Sequence, residues 1–335
     1  MAKQEFSIPS LSARIQTEAD AYLLLEELRW KGEPVCPHCG VIGGHYYLKP
    51  ANGTARATRT GAASQRRVWK CSACRKQFSV LTNTIFHGTK ISVRTWLLVI
   101  FQMCASKNGV SAREIERAYE LTPKTAWFML HRIREAMKRD PLAGLLSGAV
   151  QADETFIGGE PKNRHRNDKR EPGRRHRTTE QTPVFALVDY ETREVRSRFV
   201  NDVNGQTLGA AIAEQVDMAR TALHTDGARA YRAVAPKMRE HRSVDHSAGE
   251  YVRREPTGPV STNFAENYFS QLKRSIDGTH HQVSTEHLDR YLAQFDFMYS
   301  YCKWDDSARM RLLVSRVAGR RLTYVPLIAA ADTQK

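Results

Sequence analysis

The feature that most constrains the fold of this chain is a pair of Cys-x-x-Cys motifs. Cys36 and Cys39 lie in CPHCG, and Cys71 and Cys74 lie in CSACR, with 31 residues between the pairs. Two residues between thiolates let both sulfurs of a tight turn reach one ion, and a second such turn completes the tetrahedron that Zn²⁺ prefers. The pattern predicts a zinc ribbon over residues 31–88, with one structural zinc ion per chain.

The segment between the two cysteine pairs predicts an extended hairpin. Aromatic residues at 45–48 and residues 67–69 read as two strands, separated by a Gly/Ala/Thr-rich loop. A redox-active Cys-x-x-Cys is the alternative, but two matched pairs favour metal. Most zinc ribbons serve only to stabilise a small fold, so the metal by itself indicates no function. The basic residues around both knuckles favour contact with DNA, and contact with a protein is the alternative.

The charge of the chain points to a polyanionic partner. Its 335 residues include 51 Lys and Arg against 36 Asp and Glu, a formal net charge of +15. Nucleic acid is the first candidate, because Lys and Arg that neutralise phosphates release condensed counterions. The longest apolar run, residues 96–101, is too short to span a bilayer, and the first ten residues lack the apolar core of a signal peptide. We therefore expect a cytoplasmic, nucleoid-associated protein with no membrane partner.

Two regions before residue 149 have a helical pattern. Residues 1–30 are expected to form an N-terminal helical segment. Within residues 89–140, a short helix from Ser111, a break at Thr122 and Pro123, and a longer basic helix have the outline of a helix-turn-helix. A plain helical hairpin in a bundle has the same outline and remains the alternative. The candidate DNA contacts here are Lys124, Arg132, Arg134 and Lys138.

From residue 149 to 305 the pattern changes to strands. The predicted order βββαβαβαα is typical of a ribonuclease-H-like α/β layer fold. The chain is thus expected to be multi-domain, with the ribbon and the helical region before a catalytic α/β domain, and residues 306–335 as a C-terminal tail. A basic insertion, 161–180, has too few apolar residues to fold alone and is expected to grip phosphates. The candidate phosphate contacts in it are Arg164, Arg170, Arg174 and Arg175.

Three carboxylates are the candidate catalytic groups. Asp153 lies in the first predicted strand, Asp226 ends the fourth, and Glu266 lies in a helix. The first and fourth strands of a ribonuclease-H-like sheet are neighbours, so these side chains should converge. Clustered carboxylates repel one another unless they bind divalent cations, and hard oxygen ligands suit Mg²⁺. Two Mg²⁺ or Mn²⁺ ions there could hold both oxygens of an in-line phosphoryl displacement.

Several segments of the chain resemble bacterial insertion-sequence transposases that join an N-terminal zinc ribbon to a DDE domain of the ISXO-like branch. The most specific are DETFIGG and NYFSQLKRSIDGTHHQVS, and the similarity runs from about residue 36 to 302. The resemblance implies that Asp153, Asp226 and Glu266 form the catalytic triad. It also implies that Lys273, two helical turns after Glu266, holds DNA near the metal, and Arg274 beside it is a further candidate contact.

The third carboxylate is the open assignment in this triad. Some relatives use an asparagine at the corresponding position, and Asn263 and Asn267 both neighbour Glu266.

The resemblance implies a DNA transposase. The ribbon and the helical region would bind the terminal inverted repeats, and the carboxylate site would hydrolyse the strand at the element end. The exposed 3′ hydroxyl would then attack target DNA, with no covalent link to the protein. Because two ends must meet, a homodimer or larger assembly on DNA is expected. The alternatives are a DNA-binding regulator derived from a transposase, a nuclease without strand transfer, and a recombinase acting through a covalent Tyr or Ser.

Overall fold

The structure, a computed structural model, is made of two compact units. The first comprises Met1–Met137 and Lys303–Lys335, and the second comprises Lys138–Cys302. The structure describes residues 5–49, 64–140, 142–158, 181–256 and 258–329. The basic insertion, with Arg164, Arg170, Arg174 and Arg175, lies outside the described residues. Within the part that is described, no helix is both long and apolar enough to cross a bilayer.

The first unit begins with two short helices, and capping residues in the sequence determine where each helix starts. Both α1 and α2 open with reciprocal capping boxes, in which Ser7 pairs with Ser10 and Thr17 pairs with Asp20. Its elements as far as residue 137 are α1 (Ile8–Arg14), α2 (Glu18–Trp30), β1 (Tyr46–Tyr47), β2 (Trp69–Lys70), β3 (Gln77–Phe78), α3 (Val93–Ala105), α4 (Ala112–Ala118) and α5 (Pro123–Met137).

The ribbon is a three-stranded antiparallel sheet in the order β1-β2-β3. It is fixed to α2 by the buried carboxylate of Glu26, which accepts hydrogen bonds from Arg67 Nε at 2.8 Å and Trp69 Nε1 at 2.9 Å. The Trp30 ring packs edge-on against the rings of Trp69 and Phe78. Side-chain packing therefore supports the ribbon in addition to its cysteines. Strand β3 was not predicted.

The break between α4 and α5 falls where the sequence places it, with Pro123 as the first residue of α5. Two of the basic residues assigned to a DNA-facing surface are nevertheless buried: Arg132 is 5% exposed and Arg134 is 1% exposed. The Arg132 guanidinium donates to His87 O at 2.7 Å and lies over the Trp96 ring. Apolar packing surrounds most of α5, so the prediction that these two arginines contact DNA is corrected. The helix-turn-helix itself remains a prediction.

The second unit is built on a five-stranded mixed sheet in the order β6-β5-β4-β7-β8. Strand β4 pairs antiparallel with β5 and parallel with β7. The first and fourth strands of this unit are therefore neighbours, as the sequence predicts. The elements are β4 (Leu146–Ile157), β5 (Thr182–Asp189), β6 (Val195–Phe199), α6 (Gly205–Gln215), β7 (Val216–Thr225), β8 (Glu240–Ser243), β9 (Val252–Glu255), β10 (Gly258–Ser261), α7 (Asn263–Ser275) and α8 (Thr285–Ser300).

Each face of this sheet is covered by its own apolar core. Helices α7 and α8 cover one face, with Tyr268, Leu272 and Leu292 packed on alternate residues of β5. Helix α6 covers the other, with Leu208 and Ile212 in its core. Four aromatic residues of α8 are buried, as expected of core residues: Tyr291, Phe295, Phe297 and Tyr299.

Two parts of this unit differ from the prediction. The expected helix at 228–238 is a pair of short 3₁₀ helices, Arg229–Ala233 and Ala235–Lys237. Pro236 explains the difference, because proline lacks the N–H that a continuing helix needs. Strands β9 and β10 form an antiparallel hairpin that the sequence analysis missed.

The C-terminal segment is not a simple tail. It holds α9 (Asp306–Ser315) and α10 (Tyr324–Ala329) and belongs to the first unit. Met310, Leu313 and Val314 of α9 are fully buried, and α9 packs against α2, α3 and α5. The expectation of a tail after residue 305 is corrected, because an apolar face on α9 completes the helical core of that unit.

Candidate active site and metal centre

The four ribbon cysteines form a ready-made metal centre. Their sulfur atoms all lie within 4.8 Å of one another, with Cys36 Sγ 3.7 Å from Cys74 Sγ and Cys39 Sγ 3.6 Å from Cys71 Sγ. A tetrahedron with Zn–S bonds of about 2.3 Å has S–S edges of roughly 3.8 Å. The thiol set therefore fits the zinc ion that the ribbon was predicted to bind.

Each knuckle turns through one residue with a left-handed backbone. Gly40 follows the first cysteine pair with φ 78°, and Arg75 follows the second with φ 61°. Glycine adopts this conformation at little cost, whereas an arginine there is strained. The second knuckle is thus the more strained of the two.

The catalytic unit places Asp153 in the middle of its sheet. Its Oδ1 accepts a hydrogen bond from the Glu154 N–H at 2.9 Å. Burial, with smaller contributions from the charges of Glu154, Asp226 and Glu266, raises the pKa of the Asp153 carboxyl to about 7. The structure thus brings both of the other predicted carboxylates within electrostatic reach of Asp153.

The position of Asp226 follows from the strand register. Gln151 on β4 pairs with His224 on β7, so continuing this register sets Asp226 opposite Asp153. Strand β7 ends at Thr225, and Gly227, with φ 83°, turns the chain immediately afterwards. The Asp226 Oδ1 accepts from the Ala228 N–H at 3.0 Å, which fixes the carboxylate at this turn.

Glu266 reaches the site from the first turn of α7. Its Oε1 accepts from the Thr262 hydroxyl at 3.1 Å and lies 3.4 Å from His246 Nε2. The Asn267 side-chain oxygen instead accepts from Gln271 Nε2 at 3.2 Å. These contacts favour Glu266 over Asn267 as the third ligand, and the assignment of the triad remains a prediction. His246 was not predicted, because it lies in a single-turn 3₁₀ helix, His246–Ala248, with no motif around it.

A buried glutamine joins the strand of Asp153 to the helix of Glu266. Gln151 is fully buried, and its Oε1 accepts from the Phe264 N–H at 2.9 Å and the Ala265 N–H at 3.3 Å. Its Nε2 donates to Ser261 Oγ at 3.2 Å. Gln151 therefore satisfies the first-turn N–H groups of α7 that no side chain at the N-cap satisfies. Strand alternation puts Gln151 on the face of Asp153, a signal that could have identified it from sequence.

Glu154 occupies the opposite face of β4, as strand alternation predicts. The Tyr231 hydroxyl donates a hydrogen bond to its carboxylate. Burial raises the pKa of Glu154, and the charge of Asp226 adds to the effect. A fourth carboxylate therefore adds negative charge next to the predicted triad.

The ligand atoms of the predicted triad lie farther apart than the sulfur atoms of the four cysteines. Among the described residues, the four cysteines are the one set of three or more ligating side chains whose ligand atoms all lie within 4.8 Å. The carboxylates of Asp153, Asp226 and Glu266 interact through their charges at longer range. Carboxylate oxygens that repel one another in this way are the donor set that a divalent cation such as Mg²⁺ would draw together.

The basic residues predicted to contact DNA occupy separate places. Lys273 and Arg274 are exposed in the last turn of α7, with Lys273 two turns beyond Glu266. In the first unit, Lys124 is exposed and its ammonium lies 4.2 Å from the centre of the Tyr324 ring. Lys138, the first residue of the second unit, is half-buried. These four remain candidate DNA contacts.

The two regions of the chain match two family models. Residues 16–77 match a transposase zinc-ribbon domain, and residues 145–300 match an ISXO2-like transposase domain. The chain thus carries a transposase zinc-ribbon domain followed by an ISXO2-like transposase domain. The pairing of the two models within one chain confirms the family that the sequence motifs indicate.

One curated relative shares most of the length of this transposase-family chain. An uncharacterized protein in transposable element ISH50 of Halobacterium salinarum is 25% identical over 288 residues, covering 83% of this chain and 90% of the relative.

Solved structures resemble the chain more distantly. The catalytic core domain of BIV integrase is 14% identical, covering 44% of this chain and 81% of that one, with a TM-score of 0.29. A chain of the simian T-cell lymphotropic virus intasome in complex with PP2A regulatory subunit B56 gamma is 14% identical, covering 59% and 68%, with a TM-score of 0.27. These scores are too low to carry an argument.

Proposed function

We propose that this chain is a DNA transposase that binds terminal inverted repeats and catalyses metal-dependent hydrolysis and strand transfer at phosphodiesters. The observation that carries the proposal is the grouping of Asp153, Asp226 and Glu266, from two neighbouring strands and one helix. Burial raises the pKa of Asp153 to about 7, with smaller contributions from the charges of Glu154, Asp226 and Glu266. Such repulsion has no structural benefit, so a site that keeps it is best explained by the binding of cations.

The residues of the site have separable roles in this proposal. Asp153, Asp226 and Glu266 would hold two Mg²⁺ or Mn²⁺ ions, which when bound polarise the phosphodiester and stabilise the attacking and leaving oxygens. Gln151 fixes the start of α7 and thereby the position of Glu266 relative to Asp153. Thr262 and His246 restrain the Glu266 carboxylate.

Recognition of DNA would fall to the basic surfaces. The ribbon and the helices around α4 and α5 would bind the inverted repeats, with Lys124 and Lys138 among the contacts. Lys273 and Arg274 would hold DNA beside the carboxylates, and the basic insertion at 161–180 would add contacts from outside the described residues. A homodimer or larger assembly would bring two element ends together.

The test is cleavage of a duplex that carries the terminal inverted repeat and its flank, in Mg²⁺ or Mn²⁺. Asp153→Ala and Asp226→Ala should each abolish cleavage and strand transfer while leaving binding to the repeat unchanged. The matched control is Glu214→Gln, an exposed acidic residue paired with Arg198 outside the site, which should retain full activity. Cleavage by either aspartate variant at the wild-type rate would refute the proposal.

Strand transfer needs its own assay. Duplexes that already end in a free 3′ hydroxyl should be joined to a second DNA by the wild-type protein. Hydrolysis without any joining would indicate a nuclease, and trapping of a phosphotyrosyl or phosphoseryl adduct would indicate a covalent recombinase.

A further inference from the structure

An exposed aromatic ring packs on the histidine that contacts the Glu266 carboxylate. Tyr251, one residue before β9, is 57% exposed. Its ring centroid lies 5.2 Å from that of His246, with 33° between the ring planes. His246 Nε2 in turn lies 3.4 Å from Glu266 Oε1 and 3.2 Å from the Thr262 hydroxyl oxygen. One face of the tyrosine ring is therefore backed by the histidine, and the ring is held near the site.

The residues that follow this ring are Val252, which is also exposed, and the arginines of β9. Arg253 is engaged by Glu250 and Glu255, and Arg254 is exposed to solvent. The segment that leads into β9 thus presents an exposed aromatic ring one imidazole ring away from a carboxylate of the predicted triad.

We propose that Tyr251, backed by His246, is a stacking platform for a nucleobase that flanks the cleaved phosphodiester. The proposal rests on the proposed function, because it takes the carboxylate site as the place where DNA is cut. A nucleobase is a planar π system, and it matches the exposed face of an aromatic ring. The stacking of one base on an aromatic side chain is worth about 1–3 kcal/mol.

The geometry favours a base over a protein partner. A protein interface buries a broad apolar core, whereas the exposed apolar group here is a single ring and one valine at the edge of a charged site. The bases next to the cut must lie within a nucleotide or so of the carboxylates, and Tyr251 is separated from Glu266 by one imidazole ring. Stacking on Tyr251 would thus hold an unpaired base in place and position the adjoining DNA backbone for cleavage.

The experiment is a double-mutant cycle in which the affinity of each protein variant for each DNA variant is measured. The measurements are made in Ca²⁺ so that they do not depend on cleavage. The DNAs carry the inverted repeat and its flank, either intact, with a mismatch at one position near the cut, or with an abasic site at the same position. The abasic site is then moved one nucleotide at a time across the cut. The proteins are wild type, Tyr251→Ala, Tyr251→Phe and, as a matched control, Trp304→Ala, an exposed aromatic residue of the first unit.

At one nucleotide position near the cut, we expect Tyr251→Ala to weaken binding to mismatched DNA roughly 5- to 150-fold. With an abasic site at that same position, the Tyr251→Ala protein should bind as tightly as wild type does. Tyr251→Phe and Trp304→Ala should behave as wild type. An equal loss on every DNA, no loss on any, or a change in the oligomeric state of the DNA-free protein would overturn the platform. Cleavage measured in parallel in Mg²⁺ separates the two proposals: a base-dependent loss of binding without any cleavage by wild type would refute the proposed function and leave the platform standing.

Discussion

The two candidate metal sites of this chain are built on opposite principles. In the ribbon, four sulfur atoms already sit at the spacing of a zinc tetrahedron, within 4.8 Å of one another. In the catalytic unit, three carboxylates interact through their charges but are not gathered to that distance. Thiols can be neutral before metal binds, so they can be packed together, whereas ionised carboxylates repel.

This difference fits a structural role for the ribbon site and the proposed catalytic role for the carboxylates. The ribbon sheet has only two residues in each strand, so metal ligation can contribute much of the energy that forms its fold. The carboxylates sit on a larger sheet with an apolar core on each face. Their repulsion can therefore persist until cations and a phosphodiester arrive, and the sheet tolerates it.

The largest effect should come from breaking the assembled site. We expect the double variant Cys36→Ser, Cys71→Ser to lose its zinc, about one ion per chain, and with it the ordered ribbon and binding to the inverted repeat. Elemental analysis of purified protein measures the metal, and the double variant Cys104→Ser, Cys302→Ser is the control. Unchanged zinc in the first variant would contradict the ribbon assignment.

The second largest effect should come from Gln151, which positions the carboxylate site by joining the strand of Asp153 to the helix of Glu266. Gln151→Leu leaves two N–H groups of α7 and the Ser261 hydroxyl without their partner, which should cost roughly 3–5 kcal/mol of stability. It should also raise the Mn²⁺ concentration needed for half-maximal cleavage, because the first turn of α7, which carries Glu266, is no longer held against the strand of Asp153.

The control for this prediction is Gln271→Leu, whose side chain donates to Asn267 on the outside of the same helix. It should change stability by no more than about 0.5 kcal/mol. Equal metal requirements in Gln151→Leu and wild type would show that the glutamine stabilises α7 without positioning the carboxylate.

The third effect tests the repulsion itself through pH. The folded pKa of Asp153, about 7, lies above the ordinary carboxyl value of about 3.9, so its ionisation opposes folding. In metal-free protein, the stability of the second unit should therefore fall as pH rises through this interval. Asp153→Asn should be more stable than wild type by roughly 4 kcal/mol above the folded pKa and equally stable below the unfolded one.

Denaturant unfolding of the two proteins in a chelator, at a series of pH values, measures this difference. Mg²⁺ should narrow it by stabilising wild type more than Asp153→Asn. A difference that does not vary with pH would mean that the Asp153 carboxyl is not held by its neighbours at a raised pKa.

The smallest effect concerns the strained knuckle of the ribbon. Arg75→Gly removes a side chain from a left-handed position and should leave zinc content unchanged while raising stability by up to about 1 kcal/mol. The matched change Gly40→Ala introduces strain in the first knuckle and should lower stability by a similar amount. A loss of zinc in Arg75→Gly would mean that the arginine side chain supports the metal centre.

The sequence predicts well those features that have a local pattern. The cysteine spacing identifies the ribbon, and the strand order identifies the sheet that sets Asp153 beside Asp226. Strand alternation correctly separates Asp153 from Glu154. The prediction fails where tertiary packing decides: Arg132 and Arg134 look solvent-facing by helical spacing, but the helix is surrounded by other elements.

Other features had no local signal at all. His246 lies in a single-turn 3₁₀ helix, and its contact with Glu266 depends on the β9–β10 hairpin, whose strands are short and polar. The burial of α9 in the first unit depends on contacts between residues some three hundred positions apart, such as the hydrogen bond from the Phe6 N–H to Ser307 Oγ at 2.8 Å. The distribution of DNA-binding positions remains a prediction.

The return of α9 to the first unit has a consequence for synthesis on the ribosome. The chain leaves that unit at Met137 and re-enters it at Lys303, so the helical core around α2 and α3 lacks α9 until residue 315 has been translated. The second unit, by contrast, is continuous and is complete once Cys302 has emerged. A ribosome that stops between Cys302 and the end of α9 therefore releases a complete second unit joined to an incomplete first unit.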